Sequence, residues 1–447
     1  MPLLTKPSWA APSGASAEQP DAPAIFQGWL EKDQFTIAAL IWYALALVLR
    51  APEVLYPGRF WAEDGSVFFQ YAWTHSFLDA LTAPHIGYFS LVPNVAGILA
   101  AHVPLLWAPR VTNGIALIVQ LLPALLVVFA KIPGLETPLR KALALLLLLV
   151  VPSNPEVYIN TANSHFLLCA AAGLILISEP GQWFDRWSKW LILGLAGLTG
   201  VASTFLTPFF WLQWWKERSR ARLAQAAILT LCTAIQLCFI HRAFHTGQRR
   251  MIVSPTIVAG VTYAKFVATP LLPTEEAMDH LESFRRGLIA TGHLPLSLWL
   301  VTAAAATLFL WLCWRSRNHT ALLLAAAAIW ITALSLAGSL GNGIIERMCY
   351  TARYYYAPQF FCFLALLISC SAKTSMPRGL RMIRTAWLGA VLIVGLNNYI
   401  SAIQYWTFIF SGPSWKTQVE NWHRDPSTTL VLWPNMFDMT LPPKAGK

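Results

Sequence analysis

The chain reads as an all-α polytopic membrane protein of about 11–13 membrane segments, with interfacial helices in the first outer loop and a short periplasmic C-terminal tail. Three observations predict this. Hydrophobic residues make up 56% of the chain and charged residues only 12%, about half the charged share of a soluble domain. The apolar residues come in long blocks, as spans of roughly 20 residues require. Lys and Arg cluster at the ends of those blocks, the pattern of cytoplasmic loops. That clustering also accounts for the net charge of +11. No basic stripe with interleaved aromatics lies on a polar domain, so no nucleic-acid partner is expected.

Residues 1–33, rich in Ala, Pro and Ser, lack the basic-then-apolar layout of a cleaved signal. They are expected to be a loose, disordered cytoplasmic tail. Phe35–Leu49 is the first span, within a membrane domain over 34–400. Further apolar runs are Tyr88–Val103, Val111–Ala130, Ala142–Val151, Phe166–Ile177, Trp190–Val201, Phe205–Trp215, Leu223–Ile240, Pro295–Trp314, Ala321–Leu340, Tyr354–Ser369 and Ala386–Tyr399. Several are too short to cross alone, and short helices are tolerated where they line a cavity inside the protein. The seven cysteines lie mostly in apolar runs without C-x-x-C spacing, so neither a disulfide framework nor a zinc site is implied. No internal repeat is visible.

Three basic clusters orient the chain: Lys216–Arg222, Arg315 with Arg317, and Lys373–Arg384. With all three cytoplasmic, the first loop (52–87), a periplasmic or re-entrant loop (241–293), residues 341–353 and the segment 401–447 lie outside. Lys131, Arg140 and Lys141 conflict with simple alternation. One segment within 88–180 is therefore re-entrant or wrongly counted.

The first outer loop carries RFWAEDGSVFFQYAW, Arg59–Trp73. Gly65 permits a sharp turn. After it, Val67, Phe68, Tyr71 and Ala72 recur at helical spacing, predicting an amphipathic helix over about 66–81 lying in the interface. Asp64 or Ser66 can cap that helix, with Glu63 facing water. Alternatively, Asp64 or Glu63 is a general base that takes a proton from an acceptor hydroxyl or amine. A lipid-phosphate leaving group would need cations aimed at its oxygens. Candidates on the outer side are Arg59, Arg242, Arg249, Arg250, Lys265, Arg347 and Arg353. Arg353 lies beside three tyrosines in ARYYYAP, where it is either a phosphate ligand or an interfacial anchor. Glu346 can pair with Arg347. His85, near Tyr88 in PHIGY, and His165, in NTANSHF, can bind phosphate or sugar hydroxyls or can be structural. Most of the twenty-one tryptophans fit interfacial belts. Trp415, Trp422 and Trp433 in the polar tail form a small core or stack on sugar, core being the stronger reading. No dense metal-ligand motif appears.

The acidic pair in FWAEDG, Phe60–Gly65, followed by surface helices and many short spans, resembles the GT-C superfamily of membrane glycosyltransferases. That group includes protein O-mannosyltransferases, the oligosaccharyltransferase catalytic subunit and the lipid A aminoarabinose transferase. PHIGY, NTANSHF and ARYYYAP also resemble stretches of bacterial multispanning relatives. The resemblance implies inverting transfer from a polyprenyl-phosphate sugar donor to a glycan, lipid or protein acceptor at the periplasmic face of the bacterial inner membrane. It implies Asp64 as the base with Glu63 as the alternative, and Arg353 on the donor phosphate, with Tyr88 among the binding residues. This chain departs from the pattern in lacking an extended soluble C-terminal domain and a second acidic metal-binding motif, so no cofactor is expected. Two other activities fit the layout less well. A flippase for a lipid-linked glycan needs ionisable residues along a bilayer path, and here they cluster at span ends. An O-antigen-type polymerase needs a larger outer loop than 241–293.

Overall fold

The computed structural model describes residues 22–50, 52–54, 58–85, 87–152, 157–181, 183–247, 255–339, 352–371, 376–401 and 410–443. It is 77% helical. Among the described residues, sheet is limited to two short antiparallel pairs: β1 (Pro84–His85) with β2 (Tyr88–Phe89), and β3 (Leu430–Val431) with β4 (Asp438–Met439).

The apolar blocks fold as helices because an unbroken helix satisfies its own backbone groups where no water can. The helices, apolar and polar together, are α1 (Ala22–Arg50), α2 (Gln70–Thr74), α3 (Phe77–Thr82), α4 (Leu91–Ala101), α5 (Ala108–Phe129), α6 (Pro138–Val150), α7 (Ser164–Ile177), α8 (Trp183–Leu198), α9 (Thr207–Glu217) and α10 (Arg220–His245). After these come α11 (Pro255–Tyr263), α12 (Thr274–Thr291), α13 (Leu296–Arg315), α14 (His319–Ser339), α15 (Tyr356–Ser369), α16 (Arg378–Ser401) and α17 (Trp415–Arg424). Five of them, α5, α10, α13, α14 and α16, are long and apolar enough to cross a membrane. The first helix starts at Ala22, inside the stretch expected as a loose tail. Its only proline after that point is Pro23, in the first turn, where proline fits a helix. Residues 1–21 lie outside the described residues.

α7 is the centre. All fourteen of its residues are buried, and at 1.5 Å per residue it is roughly 21 Å long. Gly173 lets the Phe361 ring of α15 press directly on its backbone; a Cβ there would lie 2.1 Å from that ring.

α7 also separates two ends of the molecule. At one end Arg222 donates to both carboxylate oxygens of Glu217 and to the Ser178 carbonyl at 2.7 Å. Arg384 donates to the Ser369 carbonyl, and the Glu179 amide donates to the Lys131 carbonyl. Lys141 donates to the Val128 carbonyl. The 131–141 loop therefore shares an end with the other basic clusters. The conflict in the sequence traces to α4, which starts and finishes at the opposite end. Its first turn meets Thr199, through Val92, and the Leu105 carbonyl just after it accepts from Trp415.

The C-terminal segment binds the first loop. Trp433 and residues 60–62 exchange backbone hydrogen bonds in an isolated bridge, Ala62 N to Trp433 O at 2.6 Å and Trp433 N to Phe60 O at 2.9 Å. Gln70 donates to the Thr440 carbonyl and Trp73 to that of Pro442. Trp415 and Trp422 are buried in a separate small core with Phe60, Phe69, Leu430 and Leu432, the core role favoured by their sequence context. Gly65 makes no sharp turn. It sits in a π-helical turn, Asp64–Phe69, where a Cβ would come within 2.8 Å of Leu432. The single amphipathic helix expected over 66–81 is broken into that turn, α2 and α3, because His75 is extended and Ser76 caps a new helix by accepting from Asp79 N.

Trp415 is 2% exposed and Trp314 is 73% exposed. Trp415→Ala should destabilise the purified protein by about 3–5 kcal/mol, whereas Trp314→Ala should cost at most about 0.5 kcal/mol. Thermal melts in detergent compare the two.

Candidate functional site

The end of the molecule away from the basic clusters gathers most of the candidate side chains. Glu63 precedes the π-helical turn and Asp64 opens it. Asp64 is fully buried. Its Oδ1 accepts from Thr161 Oγ1 and Ala162 N, both at 2.7 Å, and its Oδ2 accepts from Thr161 N at 2.9 Å. It caps no helix, and neither does Ser66, whose hydroxyl donates back to the Ala62 carbonyl. Burial pushes the Asp64 carboxyl up to about 7, the three donors at Thr161 and Ala162 pulling against it and the neighbouring Glu63 adding to it. Glu63 is half-buried, and among the described residues its carboxylate has no hydrogen-bond partner.

The partner loop, 159–163, is shaped by local amides. Ile159 takes a positive φ of 38° while its N–H donates to Gln120 Oε1. Asn160 Oδ1 accepts from Asn163 N, the Asx bond that lets this residue type hold a turn. His165 follows in the first turn of α7, with Nδ1 3.1 Å from the Ala162 carbonyl. Gly200, at φ +78°, passes behind it; a Cβ there would meet the His165 Cβ at 3.0 Å. Gly200 N donates to Phe89 O, and Gln236 accepts from Phe89 N while donating to Phe89 O and Gly197 O. This buried glutamine fixes the β1–β2 hairpin against α8 and α10.

On that hairpin, Tyr88 meets the His165 ring edge-on at 5.9 Å. His165 stacks obliquely on Phe166, Phe166 meets Tyr354 at 5.4 Å, and the Arg353 guanidinium lies 5.7 Å from the Tyr354 ring centre. His85 packs edge-on against Phe68 at 4.7 Å and Tyr71 at 5.5 Å. Burial lowers its pKa to about 4, so its imidazole is neutral at physiological pH and can both donate and accept. A contiguous set thus runs from Asp64 through 161–162 to His165, Tyr88 and Phe166, and on to Tyr354 and Arg353.

Other candidates lie elsewhere or differ in role. Arg59 is buried and spent on the C-terminal segment. It donates to Ser411 O at 2.6 Å and Pro413 O at 3.3 Å and lies 5.1 Å over Trp433. Its predicted phosphate role gives way to a structural one, because two carbonyls already occupy its guanidinium; burial lowers its pKa to about 10. Lys265 is buried in a π-helical turn, Ala264–Ala268, joined to α15 through Gln359, which donates to the Lys265 carbonyl. Arg242 is exposed on the last turn of α10. Arg347, Glu346, Arg249 and Arg250 lie outside the described residues.

Sequence reasoning missed Thr161, Gln120 and Gln236, which hold the frame. For Gln120 and Gln236 the signal was present: uncharged polar residues inside otherwise apolar runs need buried partners. It also missed Arg50, 3.8 Å over Tyr399 and 5.6 Å from Tyr158, just before the 159–163 loop. Among the described residues, no three His, Cys, Asp or Glu side chains are grouped to hold a metal ion. No family model, curated protein or solved structure matches the chain.

Two outcomes follow for Asp64. Asp64→Ala leaves buried donors at Thr161 and Ala162 unpaired and should destabilise by about 2–4 kcal/mol. Asp64 is raised from its ordinary value near 3.8 to about 7, so the folded protein binds the extra proton between those values. Stability relative to Asp64→Asn should fall as pH rises from about 4 to 7 and level off above that, read from melts across pH.

Proposed function

We propose that the protein transfers a sugar from a polyprenyl-phosphate-linked donor to a hydroxyl or amine of a cell-envelope acceptor. The bilayer lies between the two ends of the molecule, with the basic end cytoplasmic and the Glu63–Asp64 end at the periplasmic face of the bacterial inner membrane. One observation carries the reading: an accessible carboxylate, two histidines, two tyrosines and Arg353 gather at the end opposite the basic clusters.

The burial of Asp64 divides the work of the acidic pair. Glu63 is the general base, because its carboxylate is accessible and is not held by other groups. Asp64 is a positioning residue that pins the 161–165 loop and so sets where His165 stands. Glu63 takes the acceptor proton as the acceptor atom bonds to the sugar's anomeric carbon from the face opposite the phosphate. The bond from that carbon to the phosphate oxygen breaks, its electron pair leaves on the lipid phosphate, and the configuration inverts. Arg353 meets the phosphate charge, because a guanidinium matches a phosphate edge with paired donors. Neutral His85 and Tyr88 offer hydrogen bonds to sugar hydroxyls, and the ring of His165 supports Tyr88. A base of this kind contributes roughly 10²–10⁴-fold.

Purified protein is given a panel of polyprenyl-phosphate hexoses with an envelope lipid and glycan extract as acceptor, and release of the lipid phosphate is followed. Glu63→Gln should lower turnover by at least about 100-fold with its melting temperature unchanged. Arg353→Ala should raise the donor KM more than it lowers kcat. Transfer by Glu63→Gln at the parent rate would remove the base from the scheme.

A further inference from the structure

The end of α10 carries HRAFH, His241–His245. Residues four apart are neighbours on one helix face, so the two histidines share a stripe. Both are exposed. Their rings meet edge-on, with centroids 4.3 Å apart and planes at 78°. Among the described residues, no hydrogen bond holds either imidazole. Other histidines are engaged. His280 Nε2 lies 2.8 Å from the Tyr263 hydroxyl, and Nδ1 of His75 and of His102 lies 3.0 Å and 2.8 Å from the Tyr71 and Ile98 carbonyls.

The pair is open to water and placed to favour a cation. α10 starts at Arg220, in a basic cluster. At 1.5 Å per residue, His241 lies roughly 32 Å further along the helix, which is about the thickness of a hydrocarbon core. The C-terminal end of a helix carries partial negative charge, which favours a bound positive ion. Arg242, the charged neighbour, is turned about 100° around the helix from His241.

Two imidazoles at this spacing on one helix face chelate a transition-metal ion. In the hydrolytic form of the spacing, H-E-x-x-H, a Glu follows the first histidine and acts as base. Here Arg242 holds that place, so the pair suits binding rather than hydrolysis. Imidazole suits zinc, copper and nickel, and copper(II) heads the divalent affinity order. Magnesium and calcium take oxygen ligands instead.

We propose that His241 and His245 bind one late divalent transition-metal ion, copper(II) most tightly, through one nitrogen of each ring, with water completing the coordination. The site is separate from the Glu63–Arg353 set and does not rest on the sugar transfer proposed above. It nonetheless adjoins the frame of that set. Gln236 holds the β1–β2 hairpin at Phe89, and Phe239 stacks on the Phe89 ring at 5.8 Å. An ion across His241 and His245 ties the turn of α10 that follows these two residues.

The test uses full-length protein in detergent, free of any affinity tag and stripped of metal. Copper(II) chloride is titrated in and followed by electron paramagnetic resonance. The parent should bind one ion ahead of all other uptake, and the pulsed spectrum should show two imidazole ligands. His241→Gln and His245→Gln should each weaken that binding at least about tenfold and leave one imidazole in the signal. Both positions are exposed, so without copper these variants should melt as the parent does. Copper should raise the melting temperature of the parent and not that of the double variant. His293→Gln removes an exposed histidine outside the pair and should leave binding unchanged. Magnesium should not compete. A one-imidazole signal from the parent, unchanged binding in either folded variant, or an equal loss in His293→Gln would overturn the proposal.

Discussion

Three hydrogen bonds onto one buried carboxylate organise the end of this protein opposite its basic clusters. Asp64 comes from the first loop, and its donors, Thr161 and Ala162, lie nearly a hundred residues later. A carboxylate withdrawn from water is costly unless its lone pairs are met, so neither strand can move without the other. The bond fixes the entry into α7, and with it the place of His165. Through the rings of Phe166 and Tyr354, the same frame reaches the Arg353 turn. A carboxylate that the sequence offers as a base is thus placed to hold the geometry, and the reaction proposed above assigns the base to its neighbour.

That frame is braced from behind. The C-terminal segment reaches back over the whole sequence to pair with residues 60–62 and to receive the Arg59 guanidinium. Trp415 and Trp422 each bury an indole and donate its N–H to a carbonyl, combining apolar burial with satisfied polarity. The first loop therefore has two supports, α7 with its preceding loop on one side and the C-terminal core on the other. Gly65 stands against the second support, and a side chain there would collide with Leu432.

Much of the helical plan was legible because helix formation in an apolar block is a local matter. The runs read from Val111, Ala142, Phe166, Pro295 and Ala321 correspond to α5, α6, α7, α13 and α14. What could not be read depends on pairings across long distances. Asp64 looks the same in sequence whether it caps its own helix, faces a substrate or binds Thr161. Arg59 resembles a phosphate ligand until Ser411 and Pro413 are seen to occupy it. α4 is apolar enough to be mistaken for a crossing, and only the bond of Val92 to Thr199 and that of Leu105, just past the helix, to Trp415 show that both its ends lie together. His85, Tyr88, His165 and Arg353 were recognisable as residue types, but their convergence rests on the hairpin and on Gln236, which carried no motif.

The complete enclosure of α7 bears on how the chain is made. Its neighbours include α5 and α8, close to it in sequence, and also α15, whose Phe361 lies on Gly173. Synthesis reaches α15 almost two hundred residues after α7. Until then one flank of the central helix is bare to lipid or to whatever attends the nascent chain, with only a glycine-notched surface to offer. The ribosome therefore delivers the seat before the piece that closes it. Truncation anywhere before α15 leaves an unfinished groove down the middle of the molecule rather than a smaller working protein.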